Sequence, residues 1–178
     1  MKVAITGHTA GIGHALAEEY RLDGYEIVGL SQREGNNIRN TPKICNQIES
    51  CDIFVNNAQA GYAQTELLFE MVNRWQGTKK HIIVISTMMT QQPVSSILGL
   101  DMDHYRVQKI ALEEAVRQIR NRRLGVKITI VRPGYVATQP GHTGPAADVN
   151  NWARTLLDLL DMAAKNDLRI PDISLGPQ

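Results

Sequence analysis

Cysteine is scarce: the 178-residue chain has two, Cys45 and Cys51, six positions apart. That spacing matches no common metal site, and two thiols are too few for a disulfide scaffold, so plain buried or surface thiols are expected. An excess of charge is also lacking. Nineteen Lys and Arg stand against eighteen Asp and Glu, a formal charge of +1, too little for the basic field on which phosphate-backbone binders rely. Nucleic acid is therefore not an expected partner. No long apolar run opens the chain, because Met1-Lys2-Val3-Ala4-Ile5-Thr6 gives way to Gly7-His8, too soon for a signal-peptide core or a membrane span. A cytoplasmic protein with no membrane partner is the expectation. The histidines His8, His14, His81, His104 and His142 show no pair at ligand spacing, so no metal site is expected.

What is present reads as one ordinary globular domain, with 43% hydrophobic and 21% charged residues. Short β-branched runs at 2–6, 26–30, 52–56, 81–86 and 126–132 alternate with helical patterns, the signature of βαβ units around a parallel sheet. Their interiors are continuously apolar, as in strands covered on both faces. Ile12, Leu16 and Tyr20 mark a first helix over 12–22, stopped by Gly24. Leu67, Leu68, Met71, Val72 and Trp75 mark a second. A third runs over 103–123, and a fourth carries Trp152, Leu156 and Leu160 behind Asp148 as N-cap. The Gly/Pro-rich stretch 133–145 reads as a loop at a ligand-bearing strand end.

Directly after the first strand comes Thr6-Gly7-His8-Thr9-Ala10-Gly11-Ile12-Gly13, which opens the first helix. Gly7 permits the tight turn, Gly11 lets backbone approach a pyrophosphate, and Gly13 allows helix and strand to pack closely, while the helix N-terminus offers free N–H groups. Strand before and helix after favour a dinucleotide site over a loop that merely needs positive φ. At the second strand end Leu30-Ser31-Gln32-Arg33 carries no acid at the tip. Arg33, with Ser31 and Thr9 nearby, suits a ribose 2′-phosphate, so NADP is expected ahead of NAD, unless Arg33 is simply a surface charge beside Glu34.

Tyr105-Arg106-Val107-Gln108-Lys109 places a phenol and an amine four residues apart, on one helical face. A free phenol titrates near 10, and a neighbouring positive charge brings that value down, so such a pair can exchange a proton with an alcohol or ketone oxygen. By spacing alone it equally describes a half-buried tyrosine beside a solvated lysine.

Order along the chain adds to this. The glycine turn, Asn56-Asn57-Ala58, Ile85-Ser86-Thr87, Tyr105 with Lys109, and Arg132-Pro133-Gly134-Tyr135-Val136-Ala137-Thr138 together resemble the short-chain dehydrogenase/reductase family, over nearly all of 2–138. The resemblance implies a single three-layer α/β Rossmann-type domain, with about seven mostly parallel strands. Within 1–178, residues 1–140 would form the cofactor-binding and catalytic core, and 141–178 an abbreviated substrate-side segment with the last strand. It implies Tyr105 as general acid/base, Lys109 as the group that acidifies it and holds the nicotinamide ribose, and Thr87 or Ser86 as the holder of the substrate oxygen. Asn57 and Ala58 would lie beside the adenosine, with Asn37-Ile38 loosely resembling a pair beside adenine. Pro133, Gly134 and Val136 lead to Thr138 at the carboxamide, and Gly7, Thr9, Gly11, Ile12, Gly13, Ser31 and Arg33 complete the cofactor set.

The family is usually longer, and the short 59–67 connection suggests a lost helix that would carry the family's catalytic Asn; Gln59 and Gln64 are the candidates to replace it. The segment after Thr138 is shortened too, leaving a small lid that a partner subunit would complete. A homodimer or homotetramer is expected, through the helices carrying Met71/Trp75 and Leu112/Val116, unless those residues face the sheet. The expected function is NADP-dependent hydride transfer between nicotinamide and a small-molecule carbonyl or secondary alcohol. Alternatives are a non-catalytic dinucleotide-binding sensor or scaffold and, behind it, a nucleotide-sugar epimerase or dehydratase.

Overall fold

Each strand of the principal sheet except the last leads into a helix-bearing connection to the next, and all five neighbouring pairs are parallel. The computed structural model describes residues 1–91, 102–138 and 145–177. Its elements in chain order are β1 (Lys2–Thr6), α1 (Gly11–Leu22), β2 (Glu26–Leu30), α2 (Thr41–Ile48), β3 (Ile53–Asn56), α3 (Ala63–Arg74), β4 (His81–Ile85), α4 (Asp103–Asn121), β5 (Lys127–Pro133), β6 (Val136–Ala137), β7 (Ala147–Asp148), α5 (Val149–Lys165) and β8 (Asp172–Leu175). The sheet order is β2-β1-β3-β4-β5-β8, while β6 and β7 pair with each other. Six strands thus form the main sheet where about seven were expected. Residues 31–40 hold only a short 3₁₀ turn at Gln32–Glu34 before α2, so β2 is left as the edge.

Alternation along the strands divides the core into two layers. Ala4, Phe54, Ile82, Val84 and Ile130 pack under α2, α3 and α4. Val3, Ile5, Ile83, Ile85 and Val131 pack under α1 and α5. Met71, Trp75, Leu112 and Val116 are all within the first of these layers. They face the sheet and are not available to a partner subunit. Both cysteines are buried and free, and burial pushes the Cys45 thiol up to about 11. No helix among the described residues is long and apolar enough to cross a membrane.

Local signals explain the helices. Gly24 adopts φ +82 just after α1, a left-handed turn that a residue with Cβ resists. Asn40 caps α2, which carries Pro42 in its first turn, and Asp148 Oδ1 accepts from the N–H groups of Asn150 and Asn151 at 3.0 and 2.9 Å to cap α5. Helix α3 begins at Ala63, soon after β3, and by itself makes the crossover from β3 to β4. His142 and the 139–144 part of the expected 133–145 loop lie outside the described residues.

Candidate active site

The chain crosses from β1 out to the edge strand β2 and then back to β3 on the other side of β1. Such a reversal leaves a crevice beyond the carboxyl ends of the strands, and the glycine turn after β1 stands in it. Gly7 and Gly11 have φ +74 and +53. A Cβ on Gly13 would lie 2.3 Å from the Gly7 carbonyl oxygen and 2.6 Å from Asn57 Nδ2, so only glycine fits. A Cβ on Gly11 would meet the Thr138 side chain at 3.3 Å, which places Thr138 directly against the turn. Ala10, at the N-cap of α1, has no side chain to cap with, and the first N–H groups, including that of Ile12, remain free for an anion. These observations fit a dinucleotide pyrophosphate.

Around the turn, Thr6 Oγ1 accepts from the N–H groups of Asn57 and Ala58, both at 3.0 Å, and Asn57 Nδ2 donates to the Thr6 carbonyl at 2.9 Å. Asn57 and Ala58 are thereby tied to the end of β1. On the other side, the Thr9 and Ser31 hydroxyls lie 3.2 Å apart, and Ser31 Oγ accepts from the Arg33 N–H at 3.1 Å. The Arg33 side chain is exposed and has no ion pair among the described residues. His8 packs over Gly29, with Nε2 3.4 Å from Glu34 Oε2, while its buried Nδ1 has no partner. Ile38 is in the core beside α2. At the end of β5, Gly134 packs on Gly176 and Met88, and Val136 is buried before Thr138. Pro133 ends β5 paired with Leu175 of β8.

Beyond the end of β4 the two hydroxyls part company. Ser86 Oγ donates to Glu113 Oε1 at 2.5 Å, within a buried cluster, and is not directed at the crevice. Of the two alternatives for holding a substrate oxygen, Ser86 is therefore withdrawn, since the strand pleat and the Glu113 carboxylate have claimed it. Thr87 lies beside the Tyr105 phenol and caps the 3₁₀ turn Met88–Thr90 by accepting from the Met89 N–H. Burial raises the Tyr105 phenol above its ordinary value, and the Thr87 hydroxyl pulls against that rise.

Lys109 is 3% exposed, and its amine donates at 2.8 Å both to Gln64 Oε1 and to the Ile85 carbonyl. Burial lowers it to about 7, and the charge of Glu113 acts in the opposite direction. The amine lies 5.6 Å from the centre of the Tyr105 ring, over its face. The amine is thus held by two acceptors within the fold and meets the ring face of Tyr105, with no hydrogen bond to the phenolic oxygen among the described residues.

Gln64 is the residue whose importance the sequence understated. It is buried, its Nε2 donates to the carbonyls of Asn56 at 2.7 Å and Ile85 at 3.1 Å, and its Oε1 receives Lys109. Gln64 thus links Lys109 to the carbonyl of Asn56, and the adjoining Asn57 is bonded to Thr6 at the start of the glycine turn. Gln59 is instead paired with Gln108 on the exposed side of α4. Glu113 and Arg132 were not singled out by the sequence, although Glu113 continues the four-residue spacing of Tyr105 and Lys109.

No family model matches the chain, and no curated protein sequence matches it either. Solved structures do. An alcohol dehydrogenase from Thermococcus sibiricus complexed with 5-hydroxy-NADP is 17% identical with a TM-score of 0.74, over 99% of this chain and 96% of that one. A short-chain dehydrogenase from Burkholderia cenocepacia in complex with NADP is 13% identical with a TM-score of 0.77, over 98% and 87%. A 4-hydroxyisoleucine dehydrogenase complexed with NADH is 14% identical with a TM-score of 0.76, over 98% and 96%. At these identities the likeness gives the fold, which is that of the short-chain dehydrogenases/reductases.

Proposed function

We propose that this chain is a shortened short-chain dehydrogenase/reductase that moves hydride between a nicotinamide dinucleotide and a small carbonyl compound or secondary alcohol. The observation that carries the reading is the grouping of Thr87 beside the Tyr105 phenol with Lys109 over the face of the same ring, at the edge that carries the glycine cradle. When bound, the dinucleotide supplies or takes up the hydride. In the reductive direction, hydride adds to the carbonyl carbon while Tyr105 releases its proton to the oxygen, which becomes the hydroxyl. Thr87 holds that oxygen and fixes its distance from the phenol. Lys109, over the face of the Tyr105 ring and fastened from behind by Gln64 and the end of β4, would hold the nicotinamide ribose.

NADP is the proposed partner of the cradle. An exposed, unpaired Arg33 beside the Thr9 and Ser31 hydroxyls supports a 2′-phosphate, whereas Glu34, already engaged with His8, is poorly placed to take ribose hydroxyls. A homo-oligomer remains part of the reading on different residues from those first expected: Tyr62 just before α3, Phe69 on α3 and Val107 on α4 are exposed. The cytoplasm stays its proposed location.

One observation favours the non-catalytic sensor: the Lys109 amine already has two good acceptors within the fold. Titration of protein fluorescence with NADPH and NADH, followed by a carbonyl panel with the tighter cofactor, tests both readings. NADPH is expected to bind more tightly and to be consumed. Tighter NADH binding removes the Arg33 argument, and dinucleotide binding without turnover on any carbonyl leaves the sensor.

A further inference from the structure

Behind the strand ends lies a buried ionic cluster that the proposed chemistry does not use. Glu113 is 4% exposed and stands one turn beyond Lys109 on α4. Its carboxylate accepts from Ser86 Oγ at 2.5 Å, Thr90 Oγ1 at 2.8 Å, Arg132 Nε at 3.0 Å and Arg132 Nη2 at 2.7 Å. Arg132 Nη2 reaches on to Asp172 Oδ1 at 3.1 Å. One side chain therefore grips both ends of the stretch from Ser86 to Thr90 and ties it to β5 and, through Arg132, to β8. Thr87 is in the middle of that stretch, and its own hydroxyl meets Tyr105.

We propose that Glu113 is a positioning residue of this site, acting on Thr87 through Ser86 and Thr90, and on Lys109 through its charge one helical turn away. The proposal rests on the oxidoreductase reading. A short loop that must present one hydroxyl within a few tenths of an ångström needs its neighbours locked, and charge-assisted hydrogen bonds are the strongest available means. Mere stability is a poor account of the cluster, because replacing a buried ion pair by apolar side chains is often neutral or stabilising.

The electrostatic part follows from what surrounds the amine. On α4 itself Lys109 is faced by Tyr105 and Glu113; α3 contributes only the neutral Gln64, and β4 only the Ile85 carbonyl. Glu113 in turn is faced by Arg132 of β5, which is shared with Asp172 of β8, and by Arg117 of α4 at 4.0 Å. Glu113 is thus the negative charge that favours protonated Lys109 against burial. Its removal lowers the pH at which Lys109 loses its proton.

The test is Glu113→Gln combined with Arg132→Met in the full chain, so that neither charge is left buried alone. Lys109 is followed through the 13C resonance of its Cε in lysine-labelled protein, identified by its loss in Lys109→Met. The titration midpoint is expected to fall by about one unit in the double variant, and kcat for carbonyl reduction at pH 8 about tenfold, with KM changed less than twofold. Glu113→Asp, which keeps the charge but withdraws it by one methylene, is expected to recover most of both. A folded double variant with the wild-type midpoint and kcat overturns the proposal. If the double variant does not fold, Glu113→Gln alone, with Arg132 still paired to Asp172, decides: a fall in the same direction supports the assignment, and wild-type values overturn it. A chain that transfers no hydride yet shows the shifted midpoint separates the two readings, since the electrostatic role then holds while the oxidoreductase reading fails.

Discussion

The Lys109 amine donates to Gln64 Oε1 at 2.8 Å, joining α4 to α3 behind the site. Every polar atom of the Gln64 side chain is used, since Nε2 serves the carbonyls of Asn56 and Ile85. Gln64→Met keeps the length of the side chain and removes all three bonds. Each buried group left without its partner costs about 1–3 kcal/mol. The variant is expected to unfold at lower urea concentration and to lose about tenfold in kcat as Lys109 swings, read by urea titration monitored by circular dichroism and by the NADPH oxidation rate. Wild-type kcat in a folded Gln64→Met would show that the clamp is irrelevant to the reaction.

The two hydroxyls beyond β4 predict opposite phenotypes. Thr87→Ala removes the hydroxyl proposed to hold the substrate oxygen beside Tyr105, and loss of one such donor costs about 10²-fold or more in kcat. Ser86→Ala leaves Glu113 with Thr90 and Arg132, so its cost falls mainly on stability, about 1 kcal/mol. Steady-state kinetics on both variants, beside their thermal midpoints, checks the division.

Gly13 leaves no room for a side chain. A methyl group there meets the Gly7 carbonyl at 2.3 Å, and backbone on a sharp turn cannot yield. Gly13→Ala is expected to weaken dinucleotide binding more than tenfold, measured by fluorescence titration. Gly35, which has open space around its own would-be Cβ, provides the contrast, although φ +81 keeps some strain in a Gly35→Ala control.

His81 supplies a pH dependence. Burial, helped by the charge of Lys127, lowers its imidazole to about 4 from an ordinary 6.5. Between those values the unfolded chain takes up a proton that the folded one refuses, so stability is full above pH 6.5 and falls as the pH drops towards 4. The loss attributable to this group is on the order of 3 kcal/mol. Denaturant titrations at pH 7 and pH 4.5 are expected to differ less in His81→Gln than in the wild type, even though the substitution disturbs the bond to Thr129 Oγ1 at 2.9 Å.

The parts legible in the sequence are those whose chemistry is local. The glycine turn is a strand, a tight bend and a helix start within one short stretch, and Tyr105 and Lys109 share a helical face because four residues make about one turn. Helix α2 went unread because Ile44, Cys45 and Ile48 give a stripe of only two turns. Which of Ser86 and Thr87 meets Tyr105 depends on the pleat where β4 ends, and on the Glu113 carboxylate reaching it from a residue 27 positions later. The two acceptors of Lys109 are likewise tertiary. Gln64 comes from 45 positions earlier, and the Ile85 carbonyl belongs to a strand end whose backbone carries no mark in the sequence. The sheet of about seven mostly parallel strands expected from the sequence stands as six parallel strands with the short β6–β7 pair beside them.

The most direct test of the site is single-turnover NADPH oxidation with a carbonyl substrate from the panel, comparing wild type with Tyr105→Phe. The phenol is expected to matter only for the proton, so the variant should bind NADPH as tightly as wild type and lose about 10²–10⁴-fold in rate. Equal rates at equal NADPH occupancy would contradict the account, since no other hydroxyl among the described residues stands where Tyr105 does.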